Sequence, residues 1–201
     1  MRKEDLITKY SPGSDDLVVV IGEEDTDFLK QLPGCSLAVF SGFDWNTYLS
    51  PWPADAVFRR GEGFAGKADE LIGCLEELLP AFPCRRRIIA GYSLAGLFAV
   101  YACTKTDLFD ACVSGSGSMW YPGFAEYLEE HPLRCRKAYF SLGDREHLTK
   151  NPVMASVKEK TETVVRLAQR NTECIFESNP GNHFTDADKR LLKGILSVIQ
   201  A

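Results

Sequence analysis

Short unbroken apolar runs alternate along this chain with stretches of helical periodicity, and few architectures can bury both. Residues 17–21 (Leu-Val-Val-Val-Ile) contain no polar position and are closed by Gly22, as expected of a strand covered on both faces of a sheet. A short helix from Thr26 to Leu32, ended by Pro33 and Gly34, precedes a second strand at 36–40. Apolar residues at 68, 71, 72, 75, 78 and 79 repeat at helical spacing until Pro80 stops them, and 87–90 is the next strand. The segment 95–103 is apolar nearly all round, which suits a helix at the centre of a fold. Strands follow at 111–114 and 137–141, then one long helix striped by Val153, Met154, Val157, Thr161, Val164, Val165 and Ala168, then a last strand at 174–177. The closing helix opens on Thr185-Asp186-Ala187-Asp188, a pattern similar to a capping box, and turns Leu191, Leu192, Ile195, Val198 and Ile199 inward. Parallel strands need long crossovers, which are usually helical. The expectation is therefore an α/β fold, a mainly parallel sheet of about six strands with helices on both faces. At 201 residues it is expected to form one domain over 1–201.

Charge and cysteine usage narrow the class of function. The formal net charge is −5, and the basic residues are scattered apart from Arg85-Arg86-Arg87, which reads as the solvated start of a strand; no nucleic-acid footprint is expected. No apolar run is long enough to span a bilayer, and Met1-Arg2-Lys3-Glu4-Asp5 leads into no signal-peptide core, so the expected place is the cytoplasm, without a membrane partner. Seven cysteines without a C-x-x-C spacing, several inside apolar runs, are the usage of reduced buried thiols rather than of disulfides or a metal site. Ser114-Gly115-Ser116-Gly117-Ser118 lacks the third glycine and the following helix of a dinucleotide-binding loop, so no cofactor is expected. The residues carry no signal of oligomeric state.

Open parallel sheets bind ligands at the carboxyl ends of their strands. At one such end, Gly91-Tyr92-Ser93-Leu94-Ala95-Gly96 passes from strand through a sharp turn into helix. A serine exposed on such a turn has a strained backbone and crowded neighbours, hence the pattern G-x-S-x-G. Here Ala95 holds the place of the second glycine, a cost rather than a veto because alanine is the next smallest residue. A serine hydroxyl is a weak nucleophile that needs a base, itself oriented by a third group. Of three histidines, His183 in Asn179-Pro180-Gly181-Asn182-His183-Phe184 has the chain position of the base, whereas His131 reads as a surface residue at a helix end and His147 as a loop residue. Leu142-Gly143-Asp144-Arg145-Glu146 offers two acids: Glu146 lies further into the loop and is freer to turn toward a histidine, while Asp144 could instead cap the turn. A developing oxyanion needs backbone donors, expected from Leu94 and from Phe43 or Asp44 in the glycine-bearing loop after 36–40. The segment 41–66 has no periodic pattern; its Trp45 and Trp52, with Trp120 and Tyr121, are candidate walls of a substrate pocket.

Taken in order, Gly91-Tyr92-Ser93-Leu94-Ala95-Gly96-Leu97-Phe98-Ala99, Asp107-Leu108-Phe109-Asp110, Ser116-Gly117-Ser118-Met119-Trp120, Ser141-Leu142-Gly143-Asp144-Arg145-Glu146 and Gly181-Asn182-His183-Phe184 resemble the α/β-hydrolase serine esterases of the enterochelin esterase and esterase D type. That resemblance implies a compact α/β-hydrolase fold without a cofactor, acting on a small-molecule ester through an acyl-enzyme. Ser93 would be the nucleophile, His183 the proton shuttle and Glu146 the group that orients it. A thioesterase or acyltransferase would use the same serine, and a binding module would keep the fold without turnover. The chain departs from the family pattern at Ala95, in lacking an unmistakable second oxyanion motif, and in length. The short length implies that early antiparallel strands and a lid domain are missing.

Overall fold

The apolar runs become the inner strands of a sheet. The computed structural model describes residues 6–13, 15–22, 27–32, 34–57 and 61–200. Its strands are β1 (Ile7–Ser11), β2 (Asp16–Ile21), β3 (Ser36–Ser41), β4 (Pro53–Ala54), β5 (Phe64–Ala65), β6 (Arg86–Tyr92), β7 (Ala111–Gly115), β8 (Lys137–Gly143) and β9 (Glu173–Asn179). β4 and β5 form a separate ribbon, and the other seven lie in the order β1-β3-β2-β6-β7-β8-β9. All neighbours in this sheet are parallel except β1 and β3. The helices are α1 (Trp45–Tyr48), α2 (Ala68–Leu78), α3 (Leu94–Lys105), α4 (Phe124–Glu130), α5 (Pro152–Ala155), α6 (Val157–Ala168) and α7 (Ala187–Ile199).

Alternate residues of each inner strand enter different cores, which is why those runs have no polar position. Leu17, Val19, Ile21 and Ile89 pack with α2, α3, α4 and α6 on one face. Val18, Val20, Ile88 and Ala90 pack with Leu191, Ile195 and Val198 of α7 and with Leu29 on the other. Each such side chain removed from water contributes about 1.5–3 kcal/mol before entropy is counted. α3 is buried from Leu94 to Thr104, leaving Lys105 exposed at its end.

Five elements depart from the sequence-based expectation. β1 is an antiparallel edge strand paired Ile7 to Ser41 through Ser11 to Leu37, so the sheet has seven strands and the early antiparallel strand is present. Lys9, Tyr10 and Ser11 are exposed there, and an edge strand needs no apolar run to announce it. The single long helix is instead α5 and α6, joined at Ser156; the Asn151 side chain accepts from Val153 and Met154 and starts α5. The sequence marks only the end of α4, at His131, although Phe124, Ala125 and Leu128 are buried within it. α7 has no capping box: its N-cap Asp186 makes no side-chain cap, while Thr185 Oγ1 donates to Asn182. The early helix is a 3-10 turn over Asp27–Gln31; Thr26 and Pro33 lie outside the described residues. All seven cysteines are free thiols, and Cys103, Cys112 and Cys135 bring their sulfurs within 4.8 Å of one another in the core. Among the described residues no helix is long and apolar enough to cross a membrane.

Candidate active site

The turn between β6 and α3 lifts Ser93 to the carboxyl edge of the sheet. Its backbone sits at φ 57° and ψ −121°, outside the regions open to most L-residues. Such a conformation costs roughly 1–3 kcal/mol and persists only where the surroundings impose it. Here the Ser93 N–H donates to Gly115 O at 2.9 Å, and the Ser118 N–H donates to Ser93 O at 3.0 Å, so β7 and its loop hold the turn from both sides.

Two loops from distant parts of the chain meet this serine. Ser93 Oγ lies 3.0 Å from His183 Nε2, and His183 Nδ1 lies 2.8 Å from Glu146 Oε2. An ionised carboxylate only accepts, so Nδ1 carries the proton and Nε2 is free to accept from the serine hydroxyl. Burial pushes the Glu146 carboxyl up, but hydrogen bonds from His183, Ser116, the Gly143 N–H and Arg190 outweigh it and hold its pKa at about 2. The arrangement sets an imidazole between a hydroxyl and a fixed negative charge. It can remove a proton from Ser93 and stabilise the imidazolium that results.

The histidine and acid loops are stitched to each other. Asp144 N–H donates to Asn179 O at 2.8 Å, Arg145 N–H donates to Gly181 O at 3.0 Å, and Gly181 N–H donates to Asp144 Oδ1 at 2.8 Å. Asp144 therefore caps the turn and Glu146 faces the imidazole. Gly143 permits this approach, since a Cβ there would stand 2.6 Å from Gly181 O.

Three further side chains, to which the sequence reading assigns no role in the site, complete the cluster. Ser116 Oγ donates to Glu146 Oε1 at 2.5 Å, and Arg190 Nη2 donates to the same oxygen at 3.0 Å and also to Ser116 Oγ. Tyr92 Oη donates to the His183 carbonyl at 2.7 Å and lies 3.0 Å from Ser116 Oγ. Arg190 had one readable signal: it shares a helix face with Gly194, four residues on, whose missing side chain marks a close approach to the sheet.

The remaining candidates separate. Leu94 is the first residue of α3, so its N–H has no acceptor within the helix and stands beside Ser93. Phe43 and Asp44 leave β3, which β2 separates from β6, so their loop starts two strand spacings, about 10 Å, from the turn. Asp44 uses its carboxylate to cap α1, accepting from Thr47 N–H at 2.7 Å. Strand order puts the end of β2 beside the turn instead; residues 23–26, which follow it, lie outside those described. Trp45 covers the end of β2, where a Cβ on Gly22 would meet its ring at 2.6 Å. Trp52 packs among Tyr101, Tyr121, Phe124 and Tyr127 with its indole N–H on Pro122 O. Tyr121 is 1 % exposed and Trp120 9 %, so both are buried among the aromatic rings of this face. His131 stacks on Tyr127 at the end of α4.

No protein-family model and no curated protein matches this sequence. Solved structures do match in shape. An IroE-like serine hydrolase from Shewanella oneidensis superposes with a TM-score of 0.79 at 16% identity, over 97% of this chain and 75% of that one. The chain has the α/β-hydrolase fold. Two siderophore hydrolases of Aspergillus nidulans share this hydrolase fold: EstB at a TM-score of 0.71 and 14% identity over 96% of this chain and 88% of its own, and EstA at 0.69 and 16% over 94% and 83%. In the hydrolase fold seen here, the serine, acid and histidine leave the carboxyl ends of β6, β8 and β9 in that order.

Proposed function

We propose that this protein is a serine hydrolase of carboxylic esters with Ser93, His183 and Glu146 as its catalytic residues. The observation that carries the reading is the unbroken chain of contacts, Ser93 Oγ to His183 Nε2 at 3.0 Å and His183 Nδ1 to Glu146 Oε2 at 2.8 Å, with the serine on a strained turn. The solved structures of similar shape are named as serine and siderophore hydrolases, which supports the same chemistry.

Ser93 Oγ attacks the ester carbonyl carbon as its proton passes to His183 Nε2. The carbonyl oxygen gains the negative charge of the tetrahedral intermediate and meets the Leu94 N–H. Collapse breaks the bond to the leaving alkoxide, which takes the proton from Nε2 and departs as the alcohol. The acyl group stays on Ser93 until a water, deprotonated at the same nitrogen, attacks it; the acid leaves and Ser93 Oγ regains its proton.

A fluorophosphonate probe tests this. It is expected to label the wild type and not Ser93→Ala, and the wild type is expected to hydrolyse short-chain aryl esters at least about 10³-fold faster than that variant. Labelling that is absent, or equal in Ser93→Ala, removes the nucleophile from the proposal.

A further inference from the structure

Arg190 is an expensive residue where it stands. Its side chain is 4 % exposed and that of Glu146, its ionic partner, is 3 % exposed. Burying such a pair gains little stability, because desolvation offsets the attraction. The burial is also imperfect, since the Arg190 Nε is buried without a partner. A feature that stability does not explain calls for another role.

Its contacts fall on both the acid loop and the histidine loop of the site. Nη2 reaches Glu146 Oε1 on the loop after β8 and Ser116 on the loop after β7. Nη1 donates to the carbonyls of Asn182 at 3.3 Å and Thr185 at 3.5 Å, which flank His183. The guanidinium carbon stands 5.6 Å over the Tyr92 ring, and Tyr92 in turn holds the His183 carbonyl. Among the described residues, three non-glycine positions have positive φ: Ser93, Ser116 and Asp186. The first is the candidate nucleophile, the second touches Arg190, and the third accepts the Arg190 backbone N–H at 2.9 Å. One of the strained positions, Ser116, is thus held directly by this guanidinium.

We propose that Arg190 is the positioning residue of this site: it ties the acid loop to the histidine loop and occupies Glu146 Oε1, so that Oε2 stays charged and turned toward His183. The proposal rests on the serine hydrolase reading for its consequence in catalysis. The charged or titratable groups that face Glu146 are His183 from the loop before α7, Arg190 from α7, and Tyr92 from β6 through Ser116. On its own loop Asp144 is turned to Gly181 N–H, Arg145 is exposed and His147 follows.

The test compares the full-length wild type with Arg190→Met, Arg190→Lys and Ser116→Ala. Carboxyl-carbon NMR follows the titration of Glu146, and hydrolysis of a short-chain aryl ester supplies kcat, KM and the pH profile. In Arg190→Met the Glu146 midpoint is expected to climb from about 2 toward its ordinary 4.5. kcat should fall by about 10- to 100-fold, a share of the roughly 10²–10⁴-fold that acid–base catalysis supplies, while KM changes by less than about twofold. The acid limb of the profile should move to higher pH with Glu146. Arg190→Lys should recover part of the loss, because it keeps the charge without the fork that reaches both loops. If Arg190→Met does not fold, Ser116→Ala, with the cation kept, should show the same shifts on a smaller scale. A folded Arg190→Met with unchanged Glu146 titration, kcat and pH profile overturns the proposal. A wild type that neither turns over esters nor takes the fluorophosphonate sinks the hydrolase reading alone, and the carboxyl titration still decides for or against Arg190.

Discussion

Gly91 is what lets alanine stand at position 95. A Cβ on Gly91 would lie 2.4 Å from the backbone carbon and oxygen of Ala95, so the tightest contact of the turn falls on residue 91. The second close approach comes at Gly96, where a Cβ would meet Ser114 Oγ at 2.9 Å and Gly117 Cα at 3.1 Å. The apparent slip in the motif therefore reflects two glycines placed where backbone meets backbone, with Ala95 between them. Gly91→Ala is expected to cost at least about 2–3 kcal/mol in urea unfolding, and adding Ala95→Gly should not restore it, because the obstructing atoms are main chain. Local signals single out Ser93 and His183 as candidates and narrow the acid to Glu146 or Asp144, each a reactive side chain in a glycine-bearing turn. They missed Arg190, because a helical arginine is ordinarily solvated and only the packing of α7 places this one inside.

At the scale of elements, α7 links stability to the site. Gly194 lets it approach the sheet: a Cβ there would stand 2.6 Å from Tyr139 Cδ1 and Val113 Cγ1. Gly194→Ala should gain up to about 1 kcal/mol in helix propensity yet be less stable overall, since overpacking costs about 1–3 kcal/mol. It should also lower kcat, because the displaced helix carries Arg190 and follows His183; thermal melts and ester kinetics measure the two effects. Strands buried on both faces were legible as apolar runs, and α2 and α3 as periodic or wholly apolar segments. β1 and α4 were not. β1 is an exposed edge, and α4 has seven residues, two turns, too few for its buried stripe of Phe124, Ala125 and Leu128 to repeat.

For the whole molecule, acid is the condition that should separate the site from the scaffold. The folded pKa of Glu146, about 2, lies below its ordinary 4.5, so its stabilising contribution is complete above pH 4.5 and is lost as pH falls toward 2. Asp16, lowered by its hydrogen bond to Arg86, acts in the same direction from the far end of the sheet. Urea unfolding at a series of pH values should show wild-type stability declining over that window, and Glu146→Gln should decline less there because it has no such proton to take up. The sequence by itself determined the class of fold, the alternation of strand and helix, and the order serine, acid, histidine, since each follows from local periodicity and turn chemistry. Tertiary structure alone decided that Glu146 rather than Asp144 meets the imidazole, that β2 rather than β3 adjoins the nucleophile turn, and that a buried arginine closes the cluster. Those outcomes depend on which strands and loops become neighbours, and nothing local in the chain encodes the distance between residues that are far apart along it.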